Sequence, residues 1–222
     1  MNQLKKQHTS KLFFDKYVNK VVITASLATL FRERELDVVK AMVDEYANKI
    51  DLTKDKVLVV ASKWHNKKFY PRDVFLASKV IDALENEDYA LRVEGSRLGV
   101  YTNNPALVAQ LLSIANDCIY EVSTPRTADI EKYLLANPNT IVANKKEFEY
   151  KLKLAGLGED GAINFKDWAS KMSKVKITDR KDSYKWEGGH VYVADSKTLT
   201  VCKLYLGKKI RRVDRIVLEN EI

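Results

Sequence analysis

Two stretches of this chain, some ninety residues apart, share a pattern: EGSRLGVYTNN, Glu94 to Asn104, and EGGHVYVADS, Glu187 to Ser196. Each opens on Glu-Gly, runs through a short apolar segment containing Val-Tyr, and closes on small polar residues ahead of a helix-like stretch. A chain of 222 residues that repeats such a run has room for two modest units, each with a core of its own.

The residues around the first copy predict its elements. Tyr89–Gly95 and Arg97–Asn103 alternate about Gly95-Ser96, as in a β-hairpin. Asn104 ahead of Pro105 is a helix N-cap followed by a favoured first helical residue. That helix carries Leu107, Val108, Leu111, Leu112 and Ile114, and Cys118–Thr124 reads as a closing strand. Upstream, Lys16–Ala25 is rich in β-branched residues and predicts a strand. Arg32–Ile50 predicts one amphipathic helix through Leu36, Val39, Met42, Val43, Tyr46 and Ile50. Lys56–Ser62 predicts a short strand, and a loop ending at Pro71 leads to a second helix over Asp73–Glu87. Residues 1–10 are polar and expected to fray. Strand, helical region, hairpin, helix, strand is the split βαβ, or ferredoxin-like, order.

The second half repeats this order in shorter form. Phe148–Gly156 predicts a strand and Ile163–Lys174 a helix facing inward through Phe165, Trp168 and Met172. Lys174–Asp179 predicts a further strand, and Trp186 and Val191–Val193 suit a hairpin turning at Gly188-Gly189. Asp195 or Ser196 caps the next helix, Gly207 stops it, and Lys209–Asn220 closes as a strand whose broken alternation predicts a bulge. Sliding the first half by 92 residues sets Asn103 on Asp195 and Leu107 on Leu199, while the first strands match at Lys20 and Lys151. The longer first half predicts an extra strand–loop–helix within Asp51–Glu87. The expectation is an α+β protein of two tandem ferredoxin-like (βαββαβ) units, with antiparallel sheets and helices on one face. The first covers residues 1–125, a helical linker 126–144, and a shorter, basic unit 145–222.

The second half resembles RNA-recognition-type modules. The resemblance rests on GGHVYVADSKTL in the third-strand position and EYKLKLAGL in the first. In that family, aromatics on the exposed sheet face stack on bases, which implies such a place for Tyr192. This sequence departs from the family pattern in lacking a Gly-Phe-Gly-Phe core. Val193 stands where a second aromatic is expected, and the first strand has Lys or Leu instead of an aromatic. The segments KYVNKVVI and LRVEGSRLGVYTNN also resemble small accessory proteins of bacteriophages, a likeness that implies a viral protein but no activity.

Charge supplies the remaining direction. The net charge is +8, and from Lys171 to Arg215 thirteen Lys or Arg stand against five Asp or Glu, so the excess resides in that stretch. Concentrated positive charge suits a polyanion through counterion release, and it also suits a solvated surface that maintains solubility. Lys208, Lys209, Arg211, Arg212 and Arg215 fall within eight residues, and Lys181, Lys185 and Trp186 precede Tyr192 in the same half. Aromatics interleaved with Lys fit a single strand better than a duplex. The loop Trp64–Arg72 is a second basic-aromatic segment, of the kind that also serves protein interfaces.

Catalytic signatures are missing from the sequence. His8, His65 and His190 lie far apart, no zinc spacing occurs, and no Gly-rich loop carries Lys-Ser or Lys-Thr. GLGEDG, with Gly156, Gly158 and Gly161, has Glu159-Asp160 where a phosphate would sit. No cofactor and no metal are expected. Two cysteines make no disulfide framework, no apolar run reaches membrane length, and the chain reads as cytoplasmic. The expected function is a non-enzymatic nucleic-acid-binding protein using Lys181, Lys185, Trp186, Tyr192, Lys208, Lys209, Arg211, Arg212 and Arg215. The alternative is a structural or regulatory subunit that binds protein, as in a bacteriophage assembly.

Overall fold

A computed structural model of the chain describes residues 4–33, 35–49, 58–61, 66–178 and 188–222. The chain divides into two compact units, Met1–Arg126 and Thr127–Ile222. Each is α+β, built on a five-stranded mixed sheet.

In the first unit the strands are β1 (Lys5–His8), β2 (Asn19–Thr24), β3 (Leu58–Ala61), β4 (Asn66–Phe69), β5 (Tyr89–Glu94), β6 (Arg97–Thr102) and β7 (Ile119–Thr124). The helices are α1 (Leu36–Lys49), α2 (Pro71–Leu84) and α3 (Pro105–Ile114). The main sheet runs β1-β7-β2-β6-β5, and β3 pairs with β4 by itself. Val21, Ile23, Leu98 and Val100 project from β2 and β6 into a core with Val39 and Val43 of α1, Val80 and Ile81 of α2, and Leu107 and Leu111 of α3. Side chains alternate along a strand, so Lys20, Gly99 and Tyr101 take the face opposite α1, α2 and α3.

The sequence expectation needs three corrections here. Residues 5–9, within the stretch expected to fray, are held: β1 pairs parallel with β7, Lys5 beside Glu121, and the Thr9 N–H donates to the Thr124 carbonyl at 2.8 Å. The sheet is therefore mixed rather than antiparallel. The helix expected from Arg32 starts at Leu36, after a 3-10 helix over Ser26–Glu33. The helix expected from Asp73 starts at Pro71, because proline suits the first helical position and the Asp73 carboxylate accepts the Tyr70 N–H at 2.9 Å.

The second unit contains α4 (Ala128–Ala136), β8 (Thr140–Ala143), β9 (Tyr150–Leu154), α5 (Glu159–Ser170), β10 (Val175–Ile177), β11 (His190–Val193), α6 (Ser196–Leu206) and β12 (Ile210–Leu218). Its sheet runs β10-β11-β9-β12-β8, with β8 parallel to β12. Residues 126–144, expected as a helical linker, thus supply α4 and an edge strand. Leu152, Leu154, Val191 and Val193 face Phe165 of α5 and Leu199 and Cys202 of α6. The expected bulge lies between Ile210 and Arg212.

Gly188-Gly189 is not the apex of a tight hairpin, since β11 pairs with β10 across the connection 178–189. Gly188 has φ +76°, and a Cβ there would lie 1.9 Å from the Leu154 carbonyl oxygen. The Gly189 carbonyl accepts the Leu154 N–H at 2.9 Å, so the glycines let the chain pass close to β9. Lys20 pairs with Tyr101 and Lys151 with Tyr192, and these tyrosines are 91 residues apart, against the 92-residue slide set by sequence alone. At that offset the N-caps Asn104 and Asp195 coincide.

Candidate nucleic-acid interface

The face of the second sheet opposite α5 and α6 gathers positive charge around aromatic rings. Strand pairing sets Lys176, Tyr192, Lys151 and Asp214 in one row across β10, β11, β9 and β12. A neighbouring row holds His190, Lys153 and Arg212. These positions follow from the pattern Tyr-Lys-Leu-Lys-Leu of β9, in which the leucines enter the core and the lysines must face away.

Phe148, two residues before β9, lies 6.0 Å from Tyr192 between ring centroids, tilted at 48°. Each ring has a cation near it: Lys151 Nζ is 5.6 Å from the Tyr192 centroid and Lys176 Nζ is 5.6 Å from that of Phe148. The rings border a cleft of about 440 Å³ that is also lined by Ile141, Ala143 and Ile216 and by Lys145, Lys146 and Glu147. Apolar side chains beside aromatic rings, with four ammonium groups against the one Glu147 carboxylate, can take a flat ring carrying a phosphate.

Some of the charge on this face is already paired. Lys176 approaches Glu147 at 3.3 Å and Lys146 approaches Glu221 at 3.5 Å, exposed pairs that contribute little and exchange readily. Arg212 is bound more firmly. Its Nε donates to Asp214 at 2.5 Å and its Nη2 to the Pro138 carbonyl at 3.0 Å, with Asp214 buried. That arginine anchors β12 to the segment entering β8.

The residues expected from sequence therefore separate. Tyr192 and Arg212 lie on this face. Lys208 and Lys209 lie in a 3-10 turn (Gly207–Lys209), not on a strand, because Gly207 ends α6 and the chain needs the turn before β12. Arg211 is the extra residue of the bulge, and Arg215, which pairs with Tyr150, falls on the side opposite Asp214. Lys181, Lys185 and Trp186 lie outside the described residues, as does Trp64 in the Trp64–Arg72 loop. The lysines of β9 and β10 were readable from alternation. Phe148 was not, because it lies before its strand and only the fold turns its ring toward Tyr192.

Among the described residues no group of three or more His, Cys, Asp or Glu could hold a metal ion. Cys202 is buried in the core, which pushes its thiol up to about 11, and Cys118 is pushed up by burial as well. Gly158 caps α5, with Glu159 and Asp160 in its first turn. The carboxylates of GLGEDG thus already complement the helix dipole. Among the described residues no helix is long and apolar enough to cross a membrane. No protein-family model matches the chain, and no curated protein matches it.

Proposed function

We propose that this chain is a non-enzymatic protein that binds single-stranded nucleic acid on the sheet face of its second unit opposite α5 and α6. We propose also that its two units are copies of one βαββαβ fold, each extended by an edge strand parallel to its last strand. The observation that carries the functional reading is the row in which Tyr192 stands between Lys176 and Lys151, beside Phe148. Bases stack on such rings whatever their identity, and lysines on both sides meet the backbone. A duplex hides its bases and would leave the rings unused.

The test is binding of short DNA and RNA single strands, and of the matching duplexes, across a salt series. If four phosphates are neutralised, log K falls with log[salt] at a slope of about −2.8 for single strands. Replacing Lys151 and Lys176 with Ala flattens the slope by about 1.4. Tyr192→Ala weakens binding at every salt concentration by about 1–3 kcal/mol, the worth of one stacked base, and leaves the slope in place. Unchanged affinity in both variants overturns the reading.

A second reading, a protein-binding subunit, is supported by a different surface. Leu204 and Tyr205 of α6 and Ile163 of α5 are exposed, and Tyr205 stacks on Trp168 at 4.4 Å. A wild-type chain that binds no nucleic acid at low salt favours that surface as the working one.

A further inference from the structure

Phe14 is held in a conformation that its residue type disfavours. Among the described residues, non-glycine positions with positive φ are Phe14 (+50°), Asp15 (+58°) and Asn86 (+64°). Asn and Asp tolerate the left-handed region through short polar side chains, whereas a bulky ring there is strained. Phe14 and Asp15 form the tip of a tight reversal in which the Phe13 N–H donates to the Tyr17 carbonyl at 2.8 Å and the Tyr17 N–H donates back to Phe13 at 2.9 Å. Two consecutive left-handed residues are the mark of a turn that normally takes Asn-Gly.

Burial does not account for the choice. Phe14 is 55% exposed, so over half of its apolar surface remains in water. Its neighbour Phe13 covers Tyr101 at 5.3 Å, while Phe14 meets the same ring edge-on at 4.8 Å and projects outward. A strained, exposed aromatic that a small residue could replace with a gain in stability is a side chain kept for presentation.

Aromatics stand in comparable places in the two units. Phe13 and Phe14 precede β2, the central strand that carries Lys20, and contact Tyr101 opposite that lysine; Phe148 precedes β9, which carries Lys151, and contacts Tyr192. Lys20 Nζ lies 5.8 Å from the Phe13 centroid, so Phe13 is the ring held against the sheet and Phe14 the one left exposed. Beside Tyr101 on this face is a cleft of about 210 Å³ lined by Lys20, Arg92, Arg97, Glu94 and Glu121. Lys20 pairs with Glu121 at 2.7 Å and Arg92 with Glu94 at 2.5 Å, while Arg97 stacks over Tyr120 at 4.0 Å. Charge here is close to balanced, so the first unit offers a ring more than a phosphate grip.

We infer that Phe14 is a second base-stacking platform, through which the first unit contacts the same class of single strand. This rests on the reading of the second unit given above. The experiment uses the full chain, Phe14→Gly and Phe14→Asn, with a poly-dT oligonucleotide of about thirty nucleotides and thermal melts of each protein. The expected result has opposite signs: both variants melt higher than wild type, and both bind the oligonucleotide about tenfold more weakly. The salt slope is unchanged, because no cation is removed. If wild type binds and the variants bind equally well, the platform is refuted while the second-unit reading stands. If the variants melt lower, Phe14 is a packing residue and the inference fails. If wild type binds no oligonucleotide at all, the reading of the second unit fails, and this one with it.

Discussion

At the scale of single residues, two glycines with positive φ separate conformational freedom from close approach. Gly95, in the β5–β6 turn, has φ +59° and nothing within 4 Å of where a Cβ would be. Gly188 has φ +76° and would place a Cβ 1.9 Å from one backbone carbonyl oxygen and 2.9 Å from the Ala155 carbonyl carbon. Gly95→Ala therefore costs only the left-handed penalty, about 1–2 kcal/mol. Gly188→Ala adds a backbone clash that no rotamer relieves and must separate residues 188–189 from β9, so its cost exceeds 3 kcal/mol or so, in the range reserved for broken backbone geometry. Urea unfolding of the two variants measures this, and equal losses would show that the approach of Gly188 to Leu154 is not maintained in solution. Glu121 shows another residue-level balance. Burial pushes its carboxyl up, but the Lys20 ammonium at 2.7 Å and the Ser123 hydroxyl more than offset that and hold it below the usual range.

Among the elements, α3 and α6 start alike. The Asn104 side chain accepts the Ala106 N–H at 2.9 Å, and the Asp195 side chain accepts the Thr198 N–H at 2.7 Å. Asp195 is also paired with Lys174 at 2.7 Å, and that bond, followed by the Thr198 donors, holds its carboxyl well below the ordinary aspartate value. A depressed folded-state value means stability that is full above the unfolded value, near 3.9, and is lost as pH falls through the folded one. Asp195→Asn keeps a cap without the charge, so wild type should melt above the variant at pH 7. That gap should narrow as pH drops below about 4 and shrink in high salt. A gap that is constant from pH 7 to pH 2 would refute the charge argument. These helix starts, like the hairpin at Gly95, were legible in the sequence because caps and turn glycines act on their immediate neighbours. The edge strands β1 and β8 were not. Each has four residues, and KKQH is wholly exposed, so nothing local distinguishes it from a polar tail. Its pairing is decided by the open edge of β7, which only the folded sheet supplies. For the candidate site, the sequence marked Tyr192 and the basic character of the second half, and both fall on the face opposite α5 and α6. The clustering of charge in sequence pointed to the run after α6, whereas the sheet face collects lysines from β9 and β10, which lie twenty-odd residues apart.

For the whole molecule, the separation of cores decides how function should divide. Among the described residues, the core around Val21 and Leu111 draws on residues before Arg126, and the core around Leu152 and Phe165 on residues after Thr127. Each sheet has its own helices, so a cut between Arg126 and Thr127 leaves both of these clusters whole. A fragment of residues 127–222 should unfold cooperatively in urea, as single domains of this size do. On the proposed reading it should also bind single strands with the salt slope of the full chain, because the lysines proposed to set the slope are all in it. Its affinity should fall short of the full chain by the contribution of Phe14. Residues 1–126 should fold as well, but with Lys20 and Arg92 paired to carboxylates they should bind only weakly and with a shallow slope. If instead the slope followed residues 1–126, the proposed interface would be on the wrong unit. If it appeared only in the intact chain, the phosphate contacts would have to come from both units, and the row at Tyr192 would not be the site by itself.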